Sequence, residues 1–215
     1  AYRFSIAWPR VFPNGDGPAN PKGLDFYNRL VDELLANGIQ PFATLYHWDL
    51  PQSLQDRFGG WEGRDTSKAF GDYAGYVAAR LSDRVKHIFT INEFVCFSDL
   101  SHATGQHAPG LRLPPRQRNQ VRHNAVLAHG LSVQAVRANA RQPLQLGLAE
   151  NAVVCVPVIE TPEHVDATRH GAPNDLGRRQ QTVGAGRMAV KIVAKHQGSI
   201  RDCAQFRLNM IAVRA

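Results

Sequence analysis

The chain lacks most of what would tie it to a membrane, a metal or a disulfide framework. Its 215 residues contain no apolar run approaching the roughly 18 to 20 that a spanning helix needs, and no leader-peptide pattern. Cysteine is scarce: Cys96, Cys155 and Cys203 are odd in number, widely spaced and without a C-x-x-C pair. That argues against a disulfide scaffold or a spacing-defined zinc site, and predicts free thiols in a reducing, cytoplasmic compartment. No metal or cofactor is suggested. Acidic residues run short only at one end. Residues 1–165 hold 16 Lys and Arg against 15 Asp and Glu, whereas residues 166–215 hold 9 against 3. The same final stretch has no Trp or Tyr and a single Phe, Phe206. Nucleic-acid binding calls for basic residues interleaved with stacking aromatics, or for a known module. The tail has neither, so neither nucleic acid nor a membrane surface is the expected partner. Met188–His196 offers at most a short amphipathic basic helix.

What the first 150 residues do have is regular alternation. Tyr2–Trp8 reads as a strand ending at Pro9, followed by a Gly/Pro/Asn loop. Asn20-Pro21 is an N-cap with Pro at the first helical position. The helix after it is predicted to bury Leu24, Tyr27, Leu30, Val31, Leu34 and Leu35 at 3.6 spacing and to stop at Asn37-Gly38. A strand at Ile39–Tyr46, a loop rich in Gly and Trp, a helix near Ser67–Leu81 and a strand at Val85–Ile91 follow. A long loop, a helix near Gln117–Ala138 and a strand at Leu144–Ala149 complete the pattern. Repeated strand–loop–helix units imply a parallel α/β sheet with function in the loops after the strands.

Four strand ends carry the polar residues. Arg3 lies inside the first apolar run; His47-Trp48-Asp49 ends the second; Asn92-Glu93 ends the third; Glu150-Asn151 ends the fourth. Singly, each has an ordinary structural explanation: Arg3 paired with a carboxylate, His47 a satisfied core histidine, Trp48 and Trp61 core aromatics. Together an aromatic, an imidazole, an amide and a carboxyl suit a carbohydrate, which needs a flat apolar surface to stack on and polar groups for its hydroxyls.

Several segments closely resemble glycoside hydrolase family 1, the β-glucosidase family. They are Tyr2-Arg3-Phe4-Ser5-Ile6-Ala7-Trp8-Pro9-Arg10, Thr44-Leu45-Tyr46-His47-Trp48-Asp49-Leu50-Pro51 and Thr90-Ile91-Asn92-Glu93. Gly59-Gly60-Trp61, Gly105-Gln106-His107-Ala108-Pro109-Gly110, and His123-Asn124 with Ala128-His129-Gly130 agree as well. The resemblance covers about residues 1–168. It implies a partial (β/α)8 TIM barrel, strands two to five, followed by a non-homologous basic tail over 169–215. It also implies retaining hydrolysis of β-glucosides and related β-glycosides. By the same resemblance Glu93 is the acid/base, Asn92 grips the sugar's 2-hydroxyl, His47 and Trp48 contact the sugar, and Arg3 sits against the nucleophilic carboxylate.

Two departures from the family pattern matter. Phe94 stands where the family usually has Pro or a small aliphatic residue, and is expected to perturb the turn after Glu93. The Thr-Glu-Asn-Gly segment that carries the family's nucleophile does not occur. The chain therefore reads as a piece of something longer, weakly active or inactive alone. Glu150 as a substitute nucleophile, a non-catalytic carbohydrate-binding pseudo-enzyme and a 6-phospho-glycosidase are the alternatives. Arg3 without its carboxylate partner is expected to destabilise the fold or turn to solvent, and oligomeric state is not legible.

Overall fold

The computed structural model describes residues 1–151. The expected basic tail over 169–215, its Met188–His196 helix, and Cys155 and Cys203 lie outside the described residues. Four strands, β1 (Tyr2–Ser5), β2 (Pro41–Tyr46), β3 (His87–Asn92) and β4 (Gln145–Ala149), form one sheet. Every pairing is parallel and the order is β1-β2-β3-β4, with no reversal. Parallel crossovers share one hand, so a monotonic order puts every connecting helix on the same face. A doubly wound sheet would reverse its order. This sheet has instead the geometry of half a (β/α)8 barrel.

The two faces separate by alternation up to Phe89, where a register shift towards Asn92 breaks the pattern. Register aligns Arg3 with Phe42, Phe42 with His87, and Thr44 with Phe89. These residues touch: Phe42 stacks on His87 with centroids 4.2 Å apart, and the Arg3 guanidinium lies 4.8 Å from the Phe89 ring. This is the inner face. The alternate residues face the helices: Phe4 stacks on Tyr27 at 6.3 Å, and the Thr90 hydroxyl lies 2.8 Å from His129 Nδ1. The core sits in that outer layer, where Ile6, Val31, Leu45, Phe70 and Val85 are fully buried. β4, paired on one side only among the described residues, is half-exposed through most of its length.

Three helices match the alternating pattern: α2 (Pro21–Ala36), α4 (Arg64–Leu81) and α6 (Pro115–Asn139). α2 begins with Pro21 and ends at Asn37, followed by Gly38 in the left-handed region (φ +69°). The Asn20 side chain does not cap it. Its amide instead donates to the carbonyl of Arg10, tying α2 to the turn before it. Leu35, predicted to be buried, is 41% exposed at the helix edge, because the apolar stripe of α2 is narrower than its run of leucines. The Tyr73 hydroxyl of α4 reaches the carbonyls of Ile6 and Leu45, at 3.1 and 3.0 Å, and so docks helix on sheet.

Three local elements depart from the sequence-based expectation. β1 ends at Ser5 rather than Trp8, and Trp8–Val11 forms a helical turn, α1, with Pro9 in its first turn. Pro9 cannot extend a parallel ladder but fits an N-terminal helical position. The Gly/Trp-rich loop holds a helix, α3 (Gln52–Phe58), and a single 3₁₀ turn, Gly60–Glu62. Gly59 and Gly60 join them at φ +70° and +58°, two successive left-handed residues that side chains resist. The loop after Glu93 opens with a nine-residue helix, α5 (Phe94–His102), which a short apolar run does not distinguish from a strand extension.

His102, at the end of α5, is 1% exposed and its Nε2 has no partner among the described residues. Burial lowers its pKa, so folding favours the neutral ring. A base depressed in the fold contributes stability that is present above its unfolded value and lost as pH falls through the folded one. Urea titrations at about pH 7.5 and about pH 5.5 are expected to show wild-type stability falling on acidification. His102→Gln is expected to reduce that fall.

Candidate active site

The ends of β1, β2 and β3 bring together the five residues singled out by sequence. Asn92, 3% exposed, ends β3, and its Oδ1 accepts a hydrogen bond from Arg3 Nη2 at 2.5 Å. Arg3 also donates from Nε to Thr44 Oγ1 at 2.9 Å. Arg3 therefore does not turn to solvent, which was one of the two expected outcomes. Thr44, Asn92 and the Phe89 ring hold it half-buried, and burial lowers its pKa while nearby Glu93 opposes the shift. With Oδ1 engaged, the amide NH2 is the donor group Asn92 has left.

His47 is exposed at the end of β2, and its Nδ1 lies 2.8 Å from the Ser5 hydroxyl. Partial burial lowers the His47 pKa, with Arg3 adding to the effect and Glu93 opposing it. Trp48 donates from its indole N–H to the Asn92 carbonyl at 2.9 Å and lies 5.5 Å from the His107 ring. This half-buried indole is held by its edge and tied to the 105–110 loop. Trp61 is different: it is 2% exposed and donates to the Tyr46 hydroxyl. It belongs to the core and supplies no sugar platform.

Glu93 has φ +47°, and Trp48 φ +77°; these are the non-glycine residues of positive φ among those described. Such backbone costs about 1–3 kcal/mol per residue and persists where surrounding contacts impose it. Both cases fall at strand ends facing the same mouth. The Glu93 N–H donates to the Ala149 carbonyl at 2.7 Å, and its Oε2 accepts from the Cys96 thiol at 3.1 Å. Phe94 starts α5 directly after Glu93.

Three contributors to this arrangement were not read from the sequence as site residues. Ser5 shares a face with Arg3 by simple alternation, which was the available signal. Cys96 lies three residues after Glu93, a spacing that gains meaning only once α5 is known to be helical. Glu150 was weighed only as a nucleophile. Its carboxylate instead accepts the Phe94 N–H, at 3.1 Å to Oε1 and 3.2 Å to Oε2. Burial raises its pKa, the Phe94 N–H opposes that, and Glu93 adds to it.

The Cys96 thiol is pushed up to about 11, first by burial and then by its bond to Glu93. It therefore remains a protonated donor at neutral pH. Alkylation of Cys96, followed by peptide mass mapping, is expected to keep accelerating well beyond the pH at which a free thiol levels off. Glu93→Gln is expected to move that profile to lower pH.

Comparison with known proteins decides the family. The sequence profile of glycosyl hydrolase family 1 matches residues 1–184. The chain belongs to that family. Beta-glucosidase A of Acetivibrio thermocellus is 47% identical over 167 residues, which is 78% of this chain and 37% of that protein. Thermostable beta-glucosidase B of Thermobispora bispora is 52% identical over 71% of this chain and 31% of its own length. A solved Thermotoga maritima beta-glucosidase in complex with deoxynojirimycin superposes with TM-score 0.71 at 41% identity, covering 78% of this chain and 37% of that one. The virulence factor SghA, solved with its substrate analog salicin, gives TM-score 0.71 at 47% identity, covering 78% and 36%. This family 1 chain thus spans roughly a third of the length of the relatives it matches, and its four-stranded sheet is part of their barrel.

Proposed function

We propose that this chain carries the acid/base half of a retaining β-glycosidase site. The observation that supports this best is the end of β3, where Asn92 and Glu93 meet Arg3 and Trp48 in a chain belonging to glycosyl hydrolase family 1. In this reading Glu93 protonates the departing glycosidic oxygen, and later takes a proton from the water that releases the sugar. Asn92 uses its amide NH2 on the 2-hydroxyl. His47 and Trp48 line the sugar pocket, and Arg3 keeps the attacking carboxylate ionised by charge pairing.

That carboxylate must lie about 5–5.5 Å from the acid in a retaining enzyme. The Thr-Glu-Asn-Gly segment of the family does not occur in the sequence and Glu150 is engaged with the Phe94 N–H; in this reading the nucleophile comes from a strand outside this chain. The substrates are β-glucosides or related β-glycosides. A purified preparation of the chain is expected to turn over aryl β-glucosides weakly or not at all, and to regain activity when joined to the remaining barrel of a relative. Turnover by the chain alone, lost on Glu93→Gln, overturns the external nucleophile. Calorimetric binding of glucose or cellobiose that persists when the joined protein turns over nothing favours a carbohydrate-binding pseudo-enzyme instead.

A further inference from the structure

A helix-capping residue ordinarily turns its own side chain back onto the N–H of the second or third helical residue. Glu93 occupies the N-cap position of α5 but makes no such bond. Its carboxylate is bonded to the Cys96 thiol instead. The first helical N–H, that of Phe94, is taken by Glu150 from the next strand. Immediately before it, the Glu93 N–H is taken by the Ala149 carbonyl. Two consecutive N–H groups of the Glu93–Phe94 segment are thus anchored by two consecutive residues at the end of β4. The residue between these anchors is held in the left-handed region, at φ +47° and ψ +81°.

We propose that Glu150 is a positioning residue for Glu93: it takes the first N–H of α5 and so leaves the Glu93 carboxyl on the Cys96 thiol, at the mouth of the site. This rests on the reading of Glu93 as the acid/base, but its geometry can be tested separately. A carboxylate bonded to a backbone N–H is a charge-assisted acceptor, stronger than a neutral one. Without it, the Phe94 N–H competes for the carboxylate of the adjacent residue, Glu93. Glu93 would then swing from the Cys96 thiol, in the first turn of α5, to the Phe94 N–H. The strained backbone at residue 93 would lose one of its two anchors. Cys96, the donor that holds the carboxyl in this structure, therefore reports where the Glu93 carboxyl points.

The test uses the full chain with Glu150→Leu, which removes the acceptor, and Glu150→Gln, which keeps an oxygen and removes the charge. In Glu150→Leu, amide exchange at Phe94 is expected to accelerate roughly 10- to 100-fold. The Cys96 alkylation profile is expected to shift from its midpoint near about 11 towards that of an ordinary thiol. Glu150→Gln is expected to retain most of the Phe94 protection and to move Cys96 only slightly. A purely structural role for Glu150 lowers global stability in urea without selectively moving Phe94 and Cys96, and that result overturns the proposal. So does a Glu150→Gln chain that behaves like Glu150→Leu, since the acceptor would then not be what matters. If Phe94 and Cys96 respond as expected but Glu93→Gln costs the joined enzyme nothing, the capping geometry stands and the acid/base reading falls.

Discussion

Glu93→Gln is expected to lower kcat about 100- to 10,000-fold on a β-glucoside with a poor leaving group, once the chain is joined to the rest of a family 1 barrel. The effect should depend on the leaving group. A general acid matters in proportion to the charge that builds on the departing oxygen, so an alkyl or weakly acidic phenyl aglycone needs the proton. A dinitrophenyl aglycone leaves readily without one, and its bond cleavage is expected to be nearly unaffected. Glutamine keeps the volume of Glu93 and a side-chain oxygen able to accept from the Cys96 thiol, which separates lost proton transfer from lost packing. The check is kcat/KM across a series of aryl β-glucosides. A steep dependence on leaving-group acidity in the variant, and a shallow one in the parent, is the expected pattern. An equal loss on every aglycone would mean that Glu93 does not act as the acid.

The parts of this site legible in sequence are those that alternation and punctuation specify. A strand ending in Asn92-Glu93 must present those residues at its C-terminal end, and parallel repeats put all such ends on one side of the sheet. Arg3 was legible as a cation inside an apolar strand, but its partners were not. They come from β2 and β3, 41 and 89 residues away, and strand pairing together with the register shift between Phe89 and Asn92 sets them beside it. α5 was missed because its nine residues include too few turns to show a 3.6 period. That omission hid Cys96 and the capping role of Glu150, since both follow from α5 starting at Phe94. The strand assigned to Tyr2–Trp8 was too long because Ile6 and Trp8 are apolar in either conformation. Pro9 was the residue that could have decided it.

The three tryptophans show how far environment outruns residue type, and they give the largest expected stability effect. Trp8→Ala is expected to cost about 3–5 kcal/mol, a large share of the roughly 5–15 kcal/mol that holds a typical domain folded. Trp8 is fully buried, stacks on Tyr73 with centroids 5.3 Å apart, and meets Tyr46 and Phe70 edge-on. Its indole N–H donates to the Gly15 carbonyl at 2.9 Å. Truncation thus leaves a cavity bounded by stiff rings and a buried carbonyl without its donor. Those rings also link α1 to α4 and to the end of β2, so neighbouring side chains cannot relax into the space independently. Trp48→Ala removes a half-buried ring whose principal bond, to the Asn92 carbonyl, lies at the mouth where water can replace it. Urea unfolding of the two variants is expected to show a sharply lowered midpoint for Trp8→Ala and a small change for Trp48→Ala. Glucose binding by the joined protein should show the reverse order, with Trp48→Ala losing affinity while its fold persists. Equal destabilisation by the two substitutions would place Trp48 in the core and remove it from the sugar pocket.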